Sequence, residues 1–199
     1  MRAHPHPADQ VPRLSRCAAG HRGRHGSARR VGYIEEWSDA RLVRDAHLGS
    51  IWEGTSNIVA LDIARAVSRE QALEPLRRHL RGLLDASGLP KAARDLFDGL
   101  LERVVETMAG VAAQRLDEQV RQAGSALYHL CTAIFMAWEA SRQAPDQRRL
   151  ALALLVARHR LLPRDPLRLE DWPSQAELLG RLVGETPLSQ AEAMQLLPA

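Results

Sequence analysis

Glu53 is the acidic residue whose setting in the sequence is most suggestive of chemistry. It lies in a predicted loop at 50–56, just before a helix, and Trp52 and Gly54 flank it. The dipole of a helix stabilises a carboxylate at the N-terminal end, and glycine lets the backbone approach a ligand closely. A carboxylate held in this way could act as a base. An acid, a glycine and a cap residue also begin many helices, so these residues alone leave a purely structural role open.

Two predicted helices must position Glu53, one on each side of the loop. The first covers 39–46, and Gly49 breaks it. The second begins after Thr55 or Ser56, either of which could serve as its N-cap. Its apolar face repeats at helical spacing. That face consists of Ile58, Val59, Leu61, Ile63, Ala64 and Val67.

The rest of the chain also has the periodicity of helices. The second helix is predicted to continue to about residue 84 with a bend at Pro75, and Gly88 and Pro90 end it. We predict that 127–138, which is apolar nearly all round, is a central helix of a bundle. No stretch shows the alternation of a strand, so the fold class predicted is all-α. The further predicted helices are 91–143 (as two helices or one bent helix), 148–162, about 174–183 and about 189–197, the last two with Ser at the cap.

The motifs around Glu53 resemble those of a known family. In order, the chain has GY at 32–33, ARLVRDA at 40–46 and WEGT at 52–55, followed by a helix. This order and spacing resembles the acyl-CoA dehydrogenase family near its C-terminal end. The flanking residues are most similar to bacterial members, including the branch linked to alkylation damage. The helical part after about residue 70 resembles, less closely, the C-terminal extension of some larger members.

The resemblance implies FAD-dependent α,β-dehydrogenation of an acyl-CoA thioester. Glu53 matches the residue that removes the α proton while the β hydride passes to the flavin. In the family the backbone N–H of this residue, with a flavin hydroxyl, polarises the thioester carbonyl. Five further residues match positions that contact the substrate or the cofactor. They are Trp52 and Gly54 for the acyl-CoA, and Gly32, Thr55 and Asn57 for FAD.

The chain also departs from the family pattern. Arg29 and Arg30 stand where the family has a Gly-Gly pair before Val31. The N-terminal helical domain, the β-domain that shelters the flavin and the first helices of the C-terminal bundle have no counterpart in the 199 residues. Some branches of the family also take their base from a different segment. We therefore expect this chain to be inactive alone. Because Gly32 matches a loop that usually reaches FAD from a neighbouring subunit, a homo-oligomer that completes the flavin site is expected.

Residues 1–30 are predicted to form a disordered basic leader. They contain seven Arg and one acid, whereas the remaining residues contain 20 basic and 23 acidic side chains. A basic tail of this kind could bind nucleic acid. It has no aromatic residue to stack on a base, so we expect an unstructured segment rather than a nucleic-acid site.

The location predicted from the sequence is the cytoplasm. The N-terminus lacks the apolar core of a secretory signal. The longest apolar stretch, 126–138, is shorter than the roughly 20 residues that a membrane helix requires. The two cysteines, Cys17 and Cys131, have no metal-binding spacing.

These observations predict that the chain is divided into three segments. They are a leader at 1–30, a partial acyl-CoA dehydrogenase C-terminal domain at 31–72 and a helical extension at 73–199. Two other functions remain open. One is a non-catalytic helical module for binding or oligomerisation, and the other is a DNA-associated member of the same family.

Overall fold

The fold of the described residues is helical throughout. The computed structural model describes residues 38–48, 52, 55–163, 167 and 172–197. Within these ranges every regular element is a helix, which confirms the predicted all-α class. The helices are α1 (Ser38–Leu48), α2 (Ser56–Arg69), α3 (Leu73–Asp85), α4 (Lys91–Gln114), α5 (Asp117–Arg142), α6 (Arg148–Val156), α7 (Trp172–Val183) and α8 (Gln190–Met194). The leader predicted at 1–30 lies outside the described residues.

The break between α2 and α3 differs from the prediction of one helix bent at Pro75. The chain leaves the helix at Glu70, and Gln71 has a positive φ of 52°. Pro75 is the third residue of α3. A proline is tolerated there because the first N–H groups of a helix have no intrahelical acceptor. The expected bend is therefore a complete break, located before the proline.

Two other helix ends agree with the sequence. Gly88 has a positive φ of 58° after the end of α3, and Pro90 precedes α4. The region 91–143 was predicted to form either two helices or one bent helix, and it forms two. They are separated at Arg115, which has a φ of 53°.

The C-terminal helices match the prediction except at the cap of α7 and at the end of α8, which is Met194 and not residue 197. The helix α6 continues into a π-helical turn, Ala157–Leu161, close to the predicted end. The helix α7 begins at Trp172, so the predicted cap at Ser174 is wrong and this residue lies in the first turn. Ser189 does cap α8, with a complete capping box in which its hydroxyl accepts from the N–H of Glu192 at 3.3 Å.

The described residues through Gln71, together with Met108–Tyr128, form one compact unit. In this unit α2 buries Val59, Ala60 and Ile63. A Cβ added at Gly124 of α5 would lie 3.2 Å from Cδ1 of Ile63. Gly124 therefore allows a close approach of the α2 side chain to α5. The other buried apolar residues of this unit are Met108, Val111, Ala112, Val120, Ala123, Leu127 and Tyr128.

The second compact unit comprises Ala72–Thr107 and His129–Ala199. Large apolar side chains from successive helices are fully buried in it, and α6 contacts α8. These side chains are Leu80, Leu84, Phe97, Leu101, Leu130, Ile134, Leu150, Leu154 and Leu188. The predicted burial of 127–138 on all sides is wrong at Phe135, which is 41% exposed. The predicted division at 31–72 and 73–199 stays a prediction.

Ion pairs connect α3 with α4. The Arg77 Nη2 atom lies 2.7 Å from Glu102 Oε2, and Arg81 bonds to the other oxygen of the same carboxylate. The hydrogen bond from Arg77 is the main reason why the pKa of Glu102 lies below its usual value. Arg94 similarly contacts Asp85 at 2.7 Å and Asp98 at 2.6 Å.

Candidate functional site

The helix α1 carries the ARLVRDA motif, of which Arg41, Leu42, Arg44 and Asp45 are exposed. The carboxylate of Asp45 lies 3.7 Å from Nε of Arg41, one turn earlier, and both side chains are exposed. Adjacent residues of a helix point in different directions. In agreement with this geometry, the ion pair of Asp45 involves Arg41, at i−4.

Trp52 follows α1 and presents its ring to solvent. Its backbone N–H donates to the carbonyl oxygen of Leu48 at 3.0 Å, which holds the residue against the end of the helix. The side chain itself is 80% exposed. An indole in this position is accessible to a ligand or to another protein surface, and its role as a substrate contact stays a prediction.

Thr55 is the N-cap of α2, at one of the two predicted positions. It has an extended backbone, with φ −64° and ψ 156°, and its carbonyl accepts from the N–H of Val59 at 3.1 Å. Its hydroxyl does not cap the helix. Asn57 is the second residue of α2, and both side chains are exposed. Both polar groups therefore lie at the positive end of the helix dipole, where negatively charged groups are favoured.

The structure describes half of the predicted site residues. Trp52, Thr55 and Asn57 all belong to the end of α1, the connection and the start of α2. The other three, namely Gly32, Glu53 and Gly54, lie outside the described residues. The position of the predicted base, Glu53, relative to its neighbours therefore stays a prediction.

The exposure of several apolar side chains in this region was not predicted from the sequence. Nine large apolar side chains are exposed in the described part of the chain, and five of them lie between 42 and 61. These five are Leu42, Leu48, Trp52, Ile58 and Leu61. Ile58 and Leu61 belong to the predicted apolar face of α2, but they project from the side opposite its buried residues. The signal was available, since α2 has more apolar positions than one face can bury.

The second unit contains a cavity whose lining differs in type from the residues around Trp52 and Thr55. It has a volume of about 230 Å³ and lies among the residues after α3, the C-terminal part of α5 and the starts of α6 and α8. Serine and glutamine side chains supply its polar lining, and none of its lining residues is titratable. The cavity therefore has no group for acid–base catalysis. The described residues also contain no cluster of His, Cys, Asp and Glu that could hold a metal ion.

Comparison with known proteins gives one partial match to the same family. The chain is 39% identical over 46 residues to a protein of Escherichia coli (strain K12) named as the putative acyl-CoA dehydrogenase AidB. The match covers 23% of this chain and 8% of that protein. No family model matches the chain, and no solved structure shows significant similarity to it. The comparison supports a relationship to acyl-CoA dehydrogenases over part of the chain.

No helix within the described ranges is both long enough and apolar enough to cross a membrane.

Proposed function

We propose that this chain supplies the base-bearing segment of an FAD-dependent acyl-CoA dehydrogenase and acts in a site completed by further protein. The observation that carries this proposal is the arrangement of the motifs. ARLVRDA lies in α1, WEGT follows it in the sequence, and Thr55 is the N-cap residue of α2. The partial similarity to the E. coli protein supports the same family.

The proposed reaction converts an acyl-CoA into the corresponding enoyl-CoA. Glu53 removes the proton from the α carbon, and the hydride leaves the β carbon. The flavin, when bound, supplies the acceptor for that hydride. The backbone N–H of Glu53 donates to the thioester oxygen and stabilises the negative charge that develops there. Trp52 lies beside the acyl chain, and Gly54 leaves room for the substrate at the backbone.

The start of α2 fits a phosphate-bearing cofactor. Thr55 and Asn57 are exposed there, and the Thr55 hydroxyl does not occupy the first turn as a cap. The N–H groups and dipole of a helix N-terminus favour anions. Thr55 and Asn57 would therefore hold FAD through polar contacts, as the resemblance implies.

The exposed apolar side chains support the view that the site needs more protein. Trp52 is 80% exposed, Ile58 53% and Leu61 39%. A contiguous exposed apolar patch marks a surface that another surface covers, and we propose that these three side chains belong to one such patch. Exclusion of water from the site would also make a carboxylate a stronger base, because its charge would no longer be hydrated. Protein that covers this region would therefore both bury its apolar surface and exclude water from Glu53.

Complementation tests the proposal. The chain is co-expressed with an acyl-CoA dehydrogenase polypeptide that binds FAD but lacks the segment matching residues 31–72. We expect the two polypeptides to co-purify as a yellow complex, whose flavin absorbance is bleached when acyl-CoA is added without oxygen. The truncated polypeptide alone should not be bleached. A complex that fails to form, or bleaching that does not require this chain, would contradict the proposal.

A further inference from the structure

The cavity of the second unit has a wall of uncharged polar groups. Its volume is about 230 Å³, and the larger part of its wall is polar. None of the described residues that line it carries a charge. A water molecule in the liquid occupies about 30 Å³, and a covalent molecule is denser, so roughly a dozen non-hydrogen atoms would fit. The polar side chains of the wall are those of Ser87, Ser141, Gln147 and Gln190.

The two serine hydroxyls of the cavity have already used their protons. Ser87 Oγ donates to the carbonyl oxygen of Leu84 at 2.6 Å, and Ser141 Oγ donates to that of Trp138 at 2.7 Å. A hydroxyl has one proton and two lone pairs, so both oxygens can now only accept. Ser87 is also buried, with 5% of its surface exposed. This part of the wall therefore favours a ligand that brings hydrogen-bond donors.

The two glutamine side chains offer both donors and acceptors. Gln147 Nε2 makes one long contact of 3.5 Å to the carbonyl oxygen of Ala140. The side-chain amide of Gln190 makes no hydrogen bond within the described part of the chain. An amide group donates through two hydrogens and accepts through two lone pairs. A ligand at this part of the wall can therefore also accept hydrogen bonds.

Backbone contacts hold both glutamines in place. The Gln147 N–H donates to the carbonyl of Leu188 at 2.8 Å, and the Leu188 N–H donates to Asp146 at 3.0 Å. Gln190 follows Ser189, whose capping box fixes the first turn of α8. The polar wall is therefore formed before a ligand binds, and less conformational entropy is lost on binding.

We propose that this cavity binds a small uncharged molecule with several hydroxyl groups, of the size of a single sugar or cyclitol ring. Hydroxyl groups can donate to the serine oxygens and accept from the glutamine amides. A charged ligand would be buried without a counter-charge in the wall. A purely apolar ligand would displace water from Ser87 and leave its lone pairs without a donor. Leu89, Pro90 and Leu150 of the wall would contact the C–H groups of the ring. The proposal does not depend on Glu53 or on a flavin.

An NMR titration of the ¹⁵N-labelled full chain with glycerol, glucose and myo-inositol tests the proposal. We expect at least one of these polyols to shift the side-chain amide signals of Gln147 and Gln190 saturably. Gln119, an exposed glutamine outside the cavity, should not respond. Cyclohexanol, a six-membered ring with one hydroxyl, and the anion gluconate should cause no saturable shift. The absence of saturable shifts with all three polyols, or an equal response to cyclohexanol, would overturn the proposal.

A matched pair of serine variants tests the contact at the wall. Ser141→Ala removes an acceptor from the cavity and should weaken polyol binding about fivefold, the equivalent of one hydrogen bond. Ser68→Ala is the control, because the exposed Ser68 hydroxyl also donates to a carbonyl three residues earlier, that of Arg65 at 3.3 Å, outside the cavity. It should bind the polyol as the wild type does. Circular dichroism verifies that both variants fold. Equal affinities of Ser141→Ala and Ser68→Ala would contradict the assigned contact.

Discussion

The carboxylate of Asp146 accepts a hydrogen bond from the backbone N–H of Leu188, with Oδ1 and the nitrogen 3.0 Å apart. The same oxygen accepts from the N–H of Arg148 at 3.2 Å, and the Gln147 N–H donates to the Leu188 carbonyl at 2.8 Å. Arg148 adds a bond from Nη2 to the carbonyl of Thr186 at 2.7 Å. These contacts attach the segment before α8 to the start of α6 within the second unit.

The first prediction concerns the pH dependence of this attachment. The hydrogen bond from Leu188 is the main reason why the pKa of Asp146 lies below its usual value. A lowered folded-state pKa gives stability that is fully present above the unfolded value of about 3.9 and is lost as the pH falls through the folded value. Asp146→Asn should therefore lower Tm between pH 5 and 7, and its difference from wild type should shrink below about pH 4.

Thermal unfolding at a series of pH values measures this difference. Glu70→Gln serves as a control, because Glu70 is exposed and makes no ion pair with a described residue. Its Tm should stay close to wild type throughout the series. A difference between Asp146→Asn and wild type that grew on acidification would show that the assigned contacts are wrong.

The second prediction concerns the contacts of Glu102 with α3. Arg77 donates to Glu102 from Nη2 at 2.7 Å and from Nε at 3.3 Å, and Glu102 is about half exposed. A double-mutant cycle with Arg77→Ala and Glu102→Ala should give a coupling free energy of about 0.5–1 kcal/mol, since exposed pairs contribute little. The coupling should decrease in high salt. A control cycle with Arg78→Ala in place of Arg77→Ala should give no coupling with Glu102→Ala. Urea unfolding of each variant measures the free energies from which both couplings are calculated.

The third prediction concerns two glycines of the first unit. No atom lies within 4 Å of a Cβ placed at Gly110 in α4, whereas a Cβ at Gly124 would lie 3.2 Å from Ile63. Gly110→Ala should stabilise the protein by about 0.5–1 kcal/mol, because alanine restricts the unfolded chain and favours helix. Gly124→Val should destabilise it by about 1–3 kcal/mol through overpacking against Ile63. Urea unfolding that ranked Gly124→Val as stable as wild type would contradict this packing.

The fourth prediction separates the role of Trp52 in binding from any role in stability. Because its side chain is 80% exposed, Trp52→Ala should change the free energy of unfolding by less than about 0.5 kcal/mol. In the complemented complex the same variant should raise KM for acyl-CoA. Val183→Ala, which removes a comparably exposed apolar side chain elsewhere, should leave KM unchanged. A large loss of stability in Trp52→Ala would indicate a structural residue instead.

Local sequence signals predicted most of the helices. Gly88 and Pro90 marked the end of α3, and Ser189 marked the start of α8, because these residues act on the neighbouring backbone. The break at Gln71 was missed. A non-glycine residue with positive φ is uncommon, and nothing in its immediate sequence distinguishes it.

Properties that depend on distant residues could not be predicted in the same way. The exposure of Phe135 is decided by whether another helix lies over its part of α5, which periodicity does not reveal. In the candidate site, residue type limited the N-cap of α2 to Thr55 or Ser56, since an N-cap is a local feature, and Thr55 occupies that position. The surroundings of Glu53 depend on protein beyond its own loop, so its role as the base rests on the resemblance.

The rate of flavin bleaching in the complemented complex tests the central claim most directly. Glu53→Gln keeps the size and polarity of the side chain but removes the base. The proposal predicts that acyl-CoA bleaches the flavin roughly 10²–10⁴-fold more slowly in this variant, with FAD still bound, while Glu70→Gln bleaches at the wild-type rate. Bleaching of Glu53→Gln at the wild-type rate would contradict the assignment of Glu53 as the base.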